Sequence, residues 1–190
     1  MSEIATTNGN ILYGTFSHEG RQPTQEDRYT MAEFQTADGL QAILALVADG
    51  IGGRQSGEMA SHLAETMIPE YVKNKAPSAS EIPATLVAAL EEANTHIYEA
   101  AAQDPNHSGM GTTCTVVVIV GNRLYLAHVG DSRAYVVRGS KIQQLSIDHT
   151  WAGVRKGRSK EGDHGAVARR GQDRLLRSSE SPTPWPGWFC

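Results

Sequence analysis

Acidic residues follow or precede apolar segments at three places in this sequence. Asp49 comes directly after seven apolar residues and before a glycine-rich turn, and Glu26-Asp27 and Asp131 stand at the ends of other strand-like segments. A carboxylate beside a buried strand is unfavourable unless a partner compensates its charge. A hard divalent cation such as Mg²⁺ or Mn²⁺ is one such partner, and Gly50 would let the backbone turn and offer its carbonyl to the same ion. Three acidic sites at strand ends are what a two-metal centre requires.

Each of these residues also has a simpler interpretation. An isolated Asp-Gly pair more often caps a turn, so Asp49 and Gly50 alone do not define a metal site. Arg21, in the loop before Glu26, has the planar fork that can hold a phosphate, but by itself it is more simply an exposed loop arginine. The glycines of residues 50–53 are not followed by Gly-Lys-Ser/Thr, which excludes a nucleotide-binding loop of that kind.

The elements that would position these residues alternate between strand and helix patterns. Apolar residues recurring every three to four positions predict two helices, over 56–73 and 80–102. Strand-like segments precede and follow this helical pair, at 11–17, 28–34, 41–48, 112–120, 123–129, 133–137 and 141–145. Gly121-Asn122 and Gly139-Ser140 are typical two-residue hairpin turns, and the glycines after Asp49 are expected to end the third strand. The order favours an α+β fold, with sheet packed on sheet and helices outside.

Composition excludes several classes of protein. The 190 residues suit a single domain with 39% hydrophobic residues, and the net charge of −4 does not indicate a nucleic-acid-binding surface. Apolar runs fall far short of the ~20 residues that a membrane span needs, and the first residues lack the pattern of a signal peptide. Two cysteines do not make a disulfide framework. A cytoplasmic protein without membrane or nucleic-acid partners is therefore expected.

The charge is distributed unevenly along the chain. Residues 1–151 contain nine lysines and arginines against seventeen aspartates and glutamates, a net charge of −8. Residues 152–190 contain eight against four, a net charge of +4, together with three prolines and no sustained apolar periodicity. We therefore place one boundary after Trp151, between a folded domain over 1–151 and a basic, poorly ordered tail over 152–190.

Five short motifs follow one another over residues 11–151. They are Arg21…Gln25-Glu26-Asp27-Arg28, Val47-Ala48-Asp49-Gly50-Ile51-Gly52-Gly53, Gly109-Met110-Gly111-Thr112-Thr113, Val129-Gly130-Asp131-Ser132-Arg133-Ala134-Tyr135 and Asp148-His149-Thr150. In this order they resemble the metal-dependent Ser/Thr protein phosphatases (PPM, or type 2C), and the Asp-Gly-x-Gly-Gly form resembles the bacterial branch. The resemblance implies an α-β-β-α sandwich of antiparallel sheets flanked by helices, with two and possibly three Mg²⁺ or Mn²⁺ ions at one end of the sheets.

The resemblance also implies how individual residues would serve the metal centre. Asp49 would bridge two cations and take part in catalysis, and the carbonyl of Gly50 would bind one of the two. Glu26 and Asp27 would hold metal-bound waters, and Asp131 would serve a third, weaker cation.

The resemblance further implies a substrate and a reaction. Arg21 would act as a catalytic residue by binding the phosphate of a phosphorylated protein, a product of a Ser/Thr kinase, while a metal-activated water hydrolyses phosphoserine or phosphothreonine. The motifs stop at Trp151, so only the N-terminal portion of the fold is expected. Residues 152–190 would be unrelated, as after a frameshift, an early stop or a gene-model error, or they are a genuine divergent C-terminus. The alternative is a catalytically inactive, truncated fragment with residual metal binding.

Overall fold

The structure, a computed structural model, describes residues 3–6, 11–20, 25–52, 56–149, 166–167 and 176–177. Within these ranges the strands are β1 (Glu3–Thr6), β2 (Leu12–Thr15), β3 (Asp27–Gln35), β4 (Gln41–Ile51), β5 (Gly111–Thr112), β6 (Cys114–Val120), β7 (Arg123–Val129), β8 (Tyr135–Arg138), β9 (Lys141–Gln144), β10 (Ala166–Val167) and β11 (Leu176–Arg177). The helices are α1 (Ser56–Lys75) and α2 (Ile82–Gln103), followed by a 3₁₀ turn at Pro105–His107.

An antiparallel five-stranded sheet forms the centre of the fold. Its strands lie in the order β3-β4-β6-β7, and the short β5 pairs with the end of β4. The hairpin β3–β4 pairs Gln35 with Gln41, and the glycine of its turn, Gly39, has a φ of 78°. The remaining strands form three two-stranded antiparallel sheets, β1-β2, β8-β9 and β10-β11.

Both helices pack on one face of the central sheet. In α1, Ala60, Ala64, Ile68 and Val72 recur at four-residue intervals and are fully buried, because this spacing places them on one side of the helix. They join a single core with the apolar residues of α2 and of the sheet; the latter include Leu44, Leu46, Val116, Val118 and Tyr125. Pro83 lies in the first turn of α2, where the N–H that proline lacks has no partner in the helix anyway.

The predicted α+β class, with antiparallel sheets and flanking helices, is confirmed. The hairpin turns at Gly121-Asn122 and Gly139-Ser140 are also found, since Val120 pairs with Arg123 and Arg138 with Lys141. The strand β1 was not predicted. Neither described helix is long and apolar enough to cross a membrane.

The strand limits beside Asp49 were predicted wrongly, in β4 itself and in the segment opposite it. The strand β4 was expected to end before Asp49, yet it continues through Gly50 and Ile51, which pair with β5. The segment 112–120 was expected to be one strand, but it is divided into β5 and β6 at Thr113. The boundary predicted after Trp151 lies outside the described residues, as does most of the tail.

Candidate metal centre

The register of the hairpin β3–β4 brings the predicted acidic residues together. Asp27, at the start of β3, stands directly opposite Asp49, near the end of β4. The N–H of Gly50 donates a hydrogen bond to the carbonyl of Glu26 at 3.3 Å, so Glu26 lies beside the same strand end. Asp131 approaches from the loop between β7 and β8 and acts on Asp49 electrostatically. Four of the predicted site residues and the backbone of Gly50 therefore meet at one end of the sheet.

The gathered negative charge changes the ionisation of Asp49. Partial removal from water raises its pKa, and the neighbouring carboxylates of Asp27, Asp131 and Glu26 raise it further, from 3.8 to about 6. Like charges placed this close disfavour one another, and a bound cation would relieve this repulsion.

The backbone of Asp49 is held by three hydrogen bonds from the opposite strand. Its carbonyl accepts from the N–H of Thr113 at 2.8 Å and from Oγ1 of Thr112 at 3.0 Å. Its N–H donates to Oγ1 of Thr113 at 3.0 Å, where a regular antiparallel pair would use the backbone carbonyl of Thr113. Because the hydroxyl replaces the backbone carbonyl as the acceptor, the regular strand pairing is interrupted and the strand is divided at Thr113.

Two glycines let α1 begin directly on the strand end. A Cβ on Gly50 would lie 2.0 Å from the carbonyl oxygen of Gly57, in the first turn of the helix. A Cβ on Gly57 would lie 2.7 Å from Oε2 of Glu26. The Glu26 carboxylate therefore lies at the amino end of α1, where the helix dipole favours negative charge. Gly50 and Gly57 thus leave room for the helix and the carboxylate at the same place.

The loop that carries Asp131 is fixed by contacts with the segment after β9. The N–H of His149 donates to the carbonyl of Gly130 at 2.8 Å. The guanidinium of Arg133 donates to both carboxylate oxygens of Asp148, at 3.0 and 2.9 Å from Nε, and this pairing lowers the pKa of Asp148. Gly130 has a φ of 103°, a conformation that glycine adopts most easily.

The buried histidine of the central sheet, His128, has a structural role. His128 is buried within β7, and its Nδ1 lies 2.9 Å from Oγ1 of Thr115. Burial lowers its pKa, and the nearby His149 lowers it further. His128 is therefore a packed residue of the sheet.

The donor atoms of the cluster fit a hard divalent cation. Carboxylate oxygens and the carbonyl of Gly50 are the ligand types that Mg²⁺ and Mn²⁺ prefer. Among the residues that the structure describes, no three Asp, Glu, His or Cys side chains are arranged to hold one ion. Arg21 lies outside the described residues.

Comparison with known proteins decides the family. Residues 15–155 match the protein phosphatase 2C family. The chain belongs to this family. All the acidic residues of the cluster lie within the matched range.

Bacterial serine/threonine phosphatases are similar to this chain in sequence and in structure. The serine/threonine protein phosphatase PstP of Mycobacterium tuberculosis is 37% identical over 110 residues, which cover 58% of this chain and 21% of PstP. The S. agalactiae serine/threonine phosphatase superposes with a TM-score of 0.61 at 30% identity, covering 82% of this chain and 59% of that one. The catalytic domain of PstP, solved in complex with two manganese ions, gives a TM-score of 0.57 at 25% identity, covering 80% of this chain and 73% of that one. This chain thus spans only part of the relatives that it matches.

Three residues of the site were not singled out from the sequence as parts of it. Thr113 and Ser132 occur in the motifs only as neighbours of other residues, although their hydroxyls lie 2.7 Å apart beside the cluster. Gly57 was assigned only to a helix. The indications of these roles in the sequence were weak. Thr113 follows a glycine-rich turn, and Gly57 is a glycine in the first turn of a helix.

Proposed function

We propose that this protein is a metal-dependent serine/threonine phosphatase that hydrolyses phosphoserine and phosphothreonine in proteins. The observation that carries the proposal is the meeting of Glu26, Asp27, Asp49 and Asp131 at one sheet end, in a chain of the phosphatase 2C family. The similarity to the serine/threonine phosphatases of M. tuberculosis and S. agalactiae, and the two manganese ions bound by PstP, support the same reaction and the same class of cation.

Each acidic residue has a defined task in this proposal. Asp49 and the carbonyl of Gly50 would hold the two central cations, because both lie on the same strand end. Glu26 and Asp27 would accept hydrogen bonds from waters around those cations, and Asp131 would serve a third ion. When bound, the cations activate a water molecule and neutralise charge on the phosphoryl group.

The protein's own residues would orient the reacting groups. The three backbone hydrogen bonds to Asp49 keep its carboxylate in place, which reduces the reorganisation needed during the reaction. Arg21 precedes the Glu26-Asp27 pair by five residues and would hold the substrate phosphate through its guanidinium. The substrates would be phosphoproteins produced by a Ser/Thr kinase, and the cytoplasmic location stays a prediction from the sequence.

Hydrolysis of a phosphothreonine peptide in the presence of Mn²⁺ tests the proposal. The full chain is compared with Asp49→Asn, and Asp38→Asn serves as a matched control because Asp38 lies in the β3–β4 turn, away from the cluster. We expect activity that needs Mn²⁺, is lost in Asp49→Asn and is kept in Asp38→Asn. A folded chain that binds Mn²⁺ but hydrolyses no peptide would instead support the non-catalytic alternative.

A further inference from the structure

Thr113 contacts the backbone of Asp49 and the two residues that flank Asp131. It is 3% exposed and stands between β5 and β6, opposite Asp49. Its Oγ1 accepts the N–H of Asp49 at 3.0 Å, and its own N–H donates to the carbonyl of Asp49 at 2.8 Å. Thr113 therefore fixes the backbone at the strand end that carries Asp49.

The same side chain reaches the loop that carries Asp131. Oγ1 of Thr113 lies 2.7 Å from Oγ of Ser132, the residue next to Asp131. Its methyl group packs against Gly130 so closely that a Cβ there would lie 2.6 Å from Cγ2 of Thr113. The hydroxyl and the methyl thus contact the residues on both sides of Asp131.

We propose that Thr113 is a positioning residue that sets the placement of Asp49 relative to Asp131 and thereby the affinity of the centre for divalent cations. A hydroxyl has one proton and two lone pairs, so it can accept from Asp49 and share a second hydrogen bond with Ser132 at the same time. Valine has the same shape without the hydroxyl, so Thr113→Val loses the hydrogen bonds to Asp49 and Ser132 and keeps the methyl group. This inference rests on the proposed metal centre.

The expected effect is on cation affinity. Residues that orient metal ligands without touching the metal change affinity by about 10–100-fold when they are substituted. We therefore expect the dissociation constant for Mn²⁺ to rise by about 10–100-fold in Thr113→Val. Thr113→Ser keeps the hydroxyl, and it should restore most of the affinity although the methyl contact with Gly130 is lost.

Thr115→Val, two residues further along the chain in β6, provides a matched control. Thr115 is also buried, and its hydroxyl bonds Nδ1 of His128 at 2.9 Å, with a long contact of 3.5 Å to the carbonyl of Ser132. It makes no contact with Asp49 that the structure describes. The two valine variants each remove one buried hydroxyl, so a general loss of stability would affect both alike.

Two measurements on the full chain decide the matter. Mn²⁺ affinity is measured by calorimetry, and exchange of the Asp49 amide proton is measured by NMR in the metal-free protein. We expect Thr113→Val to weaken Mn²⁺ binding and to accelerate exchange at Asp49 at least ~10-fold, since that N–H loses its acceptor. Thr115→Val should leave both values near those of the wild type.

Several outcomes would overturn the inference. It fails if Thr113→Val binds Mn²⁺ like the wild type, or if Thr113→Ser and Thr115→Val weaken binding as much as Thr113→Val does. Should Thr113→Val not fold, Ser132→Ala removes the loop contact alone, and unchanged Mn²⁺ affinity in that variant would refute the coupling. If the wild type itself binds no Mn²⁺, the proposed centre fails, and exchange at Asp49 alone decides whether Thr113 holds the strand end.

Discussion

Substitution of Asp49 by asparagine should stabilise the metal-free protein while abolishing its response to Mn²⁺. Asparagine has nearly the same shape as aspartate but carries no charge. Partial burial of the Asp49 carboxylate, together with the neighbouring carboxylates of Asp27, Asp131 and Glu26, raises the pKa of Asp49 to about 6. The charged Asp49 therefore lowers the free energy of unfolding when no metal is bound.

The magnitude follows from the shift in pKa. The change from 3.8 to about 6 corresponds to about 3 kcal/mol, at about 1.4 kcal/mol per pKa unit. Because the side chain is partly exposed, solvent screening reduces this to about 1 kcal/mol. The folded pKa of Asp49 lies above the unfolded value, so its contribution to stability is full below about pH 3.8 and is lost as the pH rises through 6. For a chain of this size, 1 kcal/mol corresponds to about 2–4 °C in melting temperature.

Thermal unfolding followed by circular dichroism in EDTA measures the effect. At pH 7.5, Asp49→Asn should melt about 2–4 °C above the wild type, and near pH 4 the two should melt together. Addition of Mn²⁺ should raise the melting temperature of the wild type and leave that of the variant unchanged.

Asp38→Asn is a control with the opposite sign. Asp38 bonds Thr36 and accepts the N–H of Ala79 at 3.1 Å, and these bonds lower its pKa. Its stabilising contribution is therefore present above its unfolded pKa and lost as the pH falls, so Asp38→Asn should melt below the wild type at pH 7.5. The reasoning is refuted if Asp49→Asn also melts lower in EDTA at pH 7.5, or if its advantage persists at pH 4.

Three further predictions concern packing, burial and exposed charge. Gly50→Ala should lower the free energy of unfolding by about 1–3 kcal/mol, because its Cβ would lie 2.0 Å from the carbonyl oxygen of Gly57; an unchanged urea midpoint would contradict this. Cys114 is fully buried and its pKa is raised to about 12, so peptide mass spectrometry should find it unmodified by iodoacetamide at pH 8 until urea unfolds the chain. Asp148→Ala should cost less than about 1 kcal/mol, since the ion pair with Arg133 is partly exposed, and urea titrations in 1 M salt should show a smaller difference still.

Most of the fold and the acidic part of the site could be predicted because both depend on local pattern. The apolar alternation and the turn at Gly39 define the hairpin β3–β4, and pairing of its strands is what places Asp27 opposite Asp49. Acidic residues at strand ends are visible in a sequence, since they interrupt apolar runs.

The rest depended on contacts between distant residues. Glycine usually weakens a strand, so Gly50 was expected to end β4. Gly50 instead continues β4, because it pairs with Thr112 and allows the close approach of α1 at Gly57. Neither contact can be recognised from the residues around Gly50 in the sequence. The division of the strand at Thr113 arises because a side-chain hydroxyl takes the place of a backbone acceptor. Threonine can compete with the backbone in this way, but its presence in a sequence does not predict that it will.

Cation binding and folding should be linked at the strand end of Asp49. The backbone there is fixed by three hydrogen bonds and by α1, so repulsion among the carboxylates cannot be relieved by a shift of the strand without the loss of those contacts. A cation relieves the repulsion and leaves the contacts intact. A ligand present at one hundred times its dissociation constant adds about 2.7 kcal/mol to the free energy of unfolding. That gain exceeds the ~1 kcal/mol by which Asp49→Asn stabilises the metal-free protein. The wild type should therefore be the more stable protein once Mn²⁺ is bound, and the order of the two melting temperatures should reverse.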